Sequence, residues 1–140
     1  MFNQIIKNRN SLGLLIGISL VAPWSHAQEQ HPIDKQTEAC IEKNYTTSGM
    51  VECHGQAEEQ WDKELNRVYN ALITKLDDHG RENLNISQRQ WLTYRDAEFK
   101  AIRAIYSAMD GTMWRVVAAS LRVEIVKSRV LTLKEYLENQ

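Results

Sequence analysis

The sequence predicts an all-α fold, an antiparallel bundle of three long helices with a short disulfide-stapled helix in front. Three observations carry this. Apolar residues recur at three- and four-residue steps along three long segments. Short connections containing Gly, Asp or Thr separate those segments. The chain has two cysteines, Cys40 and Cys53, placed to tie a short helix to the first long one.

The elements follow in order. Residues 1–27 read as a secretory signal peptide. Lys7 and Arg9 form a short basic start, Ser11 to Ala22 is an apolar core, and Ser25-His26-Ala27 precedes a cut at Gln28. The apolar run is too short for a bilayer span, which needs ~20 residues. Residues 28–36 are polar, contain Pro32 and read as a flexible lead-in. Residues 37–140 then form a single domain. Thr37 is positioned to cap a short helix through Glu42 that ends near Asn44. A turn over Tyr45 to Gly49 offers Thr47 or Ser48 as the next cap.

The first long helix is expected from about Met50 to Leu76. Met50, Cys53, Ala57, Trp61, Leu65, Val68, Leu72 and Leu76 make its apolar stripe. Asp77-Asp78-His79-Gly80 supplies a turn, with Gly80 as the stop. The second long helix begins at Arg81 or Leu84 and ends at Met109. After Asp110-Gly111, Thr112 is the expected cap of the last helix, which starts at Met113. Val117, Ser120, Leu121, Glu124, Ile125, Ser128, Leu131, Thr132 and Leu137 are read as lying near one side of it.

Composition narrows the function classes. The chain holds 17 basic and 18 acidic residues; two of the bases and none of the acids lie in the leader. The remaining 15 bases against 18 acids give a net charge of −3, which argues against nucleic acid or an anionic membrane as partner. In an oxidising compartment Cys40 and Cys53 read as one disulfide, worth ~3 kcal/mol for the short loop it closes. Metal binding is the rival, with His54 and His31 near by, but no ligand spacing supports it. No metal and no cofactor is expected. There is also no phosphate-cradling loop, no H-E-x-x-H and no nucleophile elbow, so no catalytic residue is assigned.

The second long helix carries an unusual stripe. Gln88, Trp91, Arg95 and Phe99 share one face, extended by Leu84, Ile102, Tyr106 and Met109. A Gln and an Arg on a core-facing stripe require polar partners. An Asp62 or Glu58 carboxylate for Arg95, and Asn66 for Gln88, are the expected ones. If Arg95 is a buried, paired charge, its removal should cost ~3–5 kcal/mol. Such a network either fixes helix register or forms a polar groove walled by Trp61, Trp91 and Tyr94.

The run Trp61-Asp62-x-Glu64-Leu65-Asn66-x-x-Tyr69, then Leu84-x-x-Ser87-Gln88-Arg89-x-Trp91-x-x-Tyr94-Arg95-Asp96, resembles the LprI-type lysozyme-inhibitor domain. The resemblance covers about Cys40 to Leu137, and Cys40 and Cys53 match the family's first cysteine pair. It implies a small exported bacterial helical domain, periplasmic, secreted or at the surface, without catalytic residues, from a family in which at least some members inhibit lysozyme. The pattern's second cysteine pair is absent, with Phe99 and Ser120-Leu121 in those places. The competing expectation is an envelope structural or stress protein that binds no lysozyme.

Overall fold

The computed structural model describes residues 30–140, and the expected signal peptide lies outside the described residues. Four helices follow one another, α1 (Pro32–Lys43), α2 (Thr47–Ile73), α3 (Asp78–Ser107) and α4 (Met113–Glu138). Three are long and the first is short. The Cys40–Cys53 disulfide joins α1 to α2, with a Cα–Cα separation of 5.8 Å.

Helix boundaries differ from the sequence reading where capping chemistry was misassigned. Helix α1 starts at Pro32, five residues ahead of Thr37 and inside the stretch read as a flexible lead-in. Proline is pre-set for the first helical position, and the His31 ring accepts the Ile33 N–H as the cap. Thr37 instead sits inside the helix and donates back to the Ile33 carbonyl at 2.7 Å. Thr46, rather than Thr47 or Ser48, caps α2 by accepting from Gly49 N–H. Asp77 caps α3 by accepting from Gly80 N–H at 2.8 Å, so Gly80 opens that helix rather than closing α2. Thr112 precedes α4 but makes no side-chain cap. Gly111, at φ +98°, supplies the left-handed residue that turns α3 into α4.

Successive helices run in opposite directions, so α2 and α4 lie parallel with α3 antiparallel to both. Pairs of neighbours show it: Thr47 with Thr112, Glu58 with Arg122, and Trp61 with Lys127. The main core is the seam between α2 and α4; α3 lies chiefly on α4 and touches α2 only lightly. On α2, Cys53, Ala57, Trp61, Leu65, Val68 and Leu72 are buried, as the stripe predicted. On α4 the buried residues are Val116, Val123, Val126, Val130 and Leu133. This corrects the expected face of α4. Ser120, Glu124, Ser128 and Leu131 are not core residues. Leu121, Ile125 and Leu131 make the other side equally apolar in sequence, and the β-branched Val116, Val123, Val126 and Val130 mildly disfavour helix. In a buried seam their burial outweighs that mild propensity.

Leu133→Ala should destabilise the domain by ~2–5 kcal/mol, whereas Leu131→Ala should cost less than about 1 kcal/mol. Denaturant titration of both variants checks which face of α4 is the core; equal losses would contradict the seam described.

Candidate functional site

Because α3 leans on α4, it stands off from α2 and leaves a shallow groove of about 330 Å³ between them. Asp62, Leu65, Asn66 and Tyr69 line it from α2, and Asn85, Gln88, Arg89, Leu92 and Arg95 from α3. Seven of these nine carry polar groups, and all but Asn85 and Leu92 belong to the motif singled out in the sequence. Arg95 reaches across to Asp62 at 3.6 Å and donates to Asp96 at 2.8 Å. The Tyr69 hydroxyl donates to the Asn85 side-chain oxygen, linking α2 to α3 further along.

The other expected partners are not brought together. Asn66 donates to the Asp62 carbonyl of its own helix, at 3.0 Å, and not to Gln88. Gln88 accepts from Arg129 Nε of α4, at 3.0 Å. Glu58 pairs with Arg122 at 2.7 Å, leaving Asp62 as the α2 carboxylate that meets Arg95. Trp61 is fully buried and walls no groove, and Tyr94 points to solvent. Trp91 is half-buried on the α4 side. Arg95 is not a buried charge. Its side chain is 21% exposed, with Asp62 at 48% and Asp96 at 59%.

Sequence reasoning missed the cations of α4. Arg122, Lys127 and Arg129 flank the valine stripe and reach different neighbours. Lys127 pairs with Asp34 of α1 at 2.9 Å. Arg122 lies over the Phe99 ring at 4.6 Å, and Arg129 over Trp91 at 5.9 Å. Between them Arg95 sits over both Trp91, at 5.6 Å, and Phe99, at 5.8 Å. The seam between α3 and α4 is thus a ladder in the order Arg122, Phe99, Arg95, Trp91, Arg129. Arg129 also donates to Ser87. Burial lowers its pKa, opposed by Tyr136, but arginine stays charged. The seven-residue spacing of Arg122 and Arg129 was the available signal.

At the end of the bundle where α1 turns into α2 and α3 into α4, the Thr47 and Thr112 hydroxyls meet at 3.2 Å. Tyr106 and Trp114 pack with ring centroids 5.8 Å apart. They border a second groove, of about 440 Å³, with Phe99, Ile102 and Met109. Tyr45, Ile105, Met109, Met113 and Trp114 are exposed near this end. Cys53 is held in the disulfide, which removes it as a thiolate ligand beside His54.

Two outcomes follow from these contacts. Removing Arg95 leaves Asp62 and Asp96 half in water, so Arg95→Ala should cost about 1 kcal/mol. A loss of ~3–5 kcal/mol in denaturant titration would instead show the buried pair first expected. His54 is held below its usual pKa of 6.5 by burial, against the opposing field of Glu124. The unfolded chain therefore binds the extra proton first, and stability should fall as pH drops below about 6.5. Melting curves at several pH values should show this slope reduced in His54→Gln.

The chain matches the family described as lysozyme inhibitor LprI over residues 40–133. The crystal structure of an uncharacterized protein from Burkholderia thailandensis is similar at 30% identity and a TM-score of 0.73. That match covers 78% of this chain and 54% of the other, so the chain spans about half that protein's length. No curated protein matches. The matched segment runs from Cys40 to Leu133 and takes in the disulfide, the groove residues and the ladder. With the four-helix architecture in agreement, the chain belongs to the lysozyme inhibitor LprI family.

Proposed function

We propose that this protein is an exported, non-enzymatic domain that inhibits lysozyme by binding it. The observation that carries the reading is the family match over residues 40–133. Export rests on the leader pattern of residues 1–27 and agrees with the Cys40–Cys53 disulfide. No helix among the described residues is long and apolar enough to cross a membrane.

Inhibition needs no reacting group. It needs a rigid surface whose binding cost is already met by the fold. The motif residues supply part of that rigidity: Arg95, Gln88 and Tyr69 hold α3 against α4 and α2. In this reading the groove residues Asp62, Asn66, Tyr69, Gln88 and Arg95, with Asp96 beside Arg95, are positioning residues. The net charge of −3 after leader removal speeds encounter with a cationic lysozyme at low salt.

Mature protein beginning at Gln28 should slow peptidoglycan digestion in proportion to its concentration, with the effect shrinking as salt rises. Excess folded protein that leaves digestion unchanged at low salt, with both animal and bacterial lysozymes, would end this reading.

A further inference from the structure

We infer that the inhibitor surface is the end of the bundle formed by the α1–α2 and α3–α4 connections, and that its arginine-rimmed aromatic edge enters lysozyme's substrate cleft. This rests on the lysozyme-inhibitor reading and names the surface and the part of the partner it meets.

Three observations single out this end. Large exposed apolar side chains gather here. Tyr45 is 81% exposed, and Met109, Met113 and Trp114 stand out beside it. Exposed aromatics and arginines are the residue types that dominate binding energy at interfaces. Second, the end is already rigid. The Cys40–Cys53 bond, the Thr47–Thr112 contact and the Tyr106–Trp114 pair tie four helix termini together. Third, the apex of the α3–α4 turn is uncrowded: a side chain built at Gly111 would meet no atom within 4 Å.

Charge selects the occupant. Arg103 and Arg115 flank the 440 Å³ groove, and neither has an ion-pair partner among the described residues. Arg122 behind them is committed to Glu58. Asp110 is the one carboxylate in the lining. A basic, aromatic tip on a net acidic chain is an unusual combination for one partner to satisfy. A lysozyme satisfies both halves: a cationic body, and a cleft holding two catalytic carboxylates between sugar-binding walls. The acidic body steers, and the arginines meet the carboxylates. The opposite end, over Thr74 to Asp77, exposes no large apolar side chain in its connection, and only Tyr136 of α4 stands out beside it.

The test uses the mature protein, an animal lysozyme of the cationic type, and a chitin trisaccharide that occupies the substrate cleft. Saturating trisaccharide should weaken binding of the unaltered protein to lysozyme at least tenfold in calorimetry. R103E/R115E should weaken inhibition at least tenfold, while Tyr136→Ala at the far end should leave it unchanged; circular dichroism confirms that each variant is folded. If trisaccharide and protein bind together without competition, the cleft assignment is overturned. If R103E/R115E inhibits as well as the unaltered chain, the tip is overturned while the inhibitor reading stands. If the unaltered chain neither binds nor inhibits lysozyme, both fall.

Discussion

The burial of Trp61 is the constraint on which the rest of the structure depends. Its ring is fully enclosed on α2, where it meets α4 through Lys127 and α1 through the His31 ring at 4.4 Å. Helix α1 buries no residue of its own. Twelve residues in isolation are marginal as a helix, so α1 exists because something holds it. The holds are the disulfide at one end and the Trp61 contact at the other, closed over by the Asp34–Lys127 pair. That pair is only about one-fifth exposed on each side, so it is screened less than an open surface bridge. A smaller residue at 61 would leave a cavity at the meeting point of three helices.

Helix α3 is held in a different way. Only Leu84 and Ile102 are buried along it, neither of them fully, too little apolar burial to fix a register. The ladder of Arg122, Phe99, Arg95, Trp91 and Arg129 fixes it instead: Arg95 lies between the two rings, Arg122 and Arg129 each lie over one, and all three reach a polar acceptor. Cation–π contacts contribute ~0.5–1 kcal/mol each at exposed sites and more when desolvated. Their sum is modest, but the spacing is specific. Sliding α3 by one turn would put Arg95 against an arginine of α4, and like charges at close range disfavour that register. The stripe that read as contradictory, Gln88 and Arg95 beside Trp91 and Phe99, is therefore coherent once α4 supplies the facing arginines.

This also explains which parts were legible in the sequence. The α2 stripe was read correctly because its apolar residues leave one face unambiguous, and the four-helix order followed from the breaks between segments. The α4 face was not, because Leu121, Ile125 and Leu131 compete with the valines, and only the neighbours decide which side is covered. Capping failed for a local reason. His31 and Asp77 cap through side chains just before Pro32 and Asp78, whereas the threonine and glycine signals next to them were taken at face value. The polar pairing failed for a geometric one. Asp62 and Arg95 do meet, but α3 leans on α4, so Gln88 finds Arg129 and not Asn66.

The second cysteine pair that the sequence resemblance leads one to expect between α3 and α4 has Phe99 and Ser120-Leu121 in its places. Here Phe99 lies under the Arg122 guanidinium at 4.6 Å and also against Arg95. A non-covalent contact thus fixes the same two helices at nearly the same level, in the wall of the groove bordered by Tyr106 and Trp114. A disulfide constrains the unfolded chain as well as the folded one, whereas this contact acts only in the folded state. The α3–α4 end consequently owes its rigidity to packing, and the α1–α2 end beside it to a covalent bond. The Thr47–Thr112 contact joins the two, so a surface drawn from both connections moves as one body only while α3 stays seated on α4. In the proposed inhibitor, the polar motif residues of α3 therefore act on binding from a distance, by keeping α3 seated, without touching a partner.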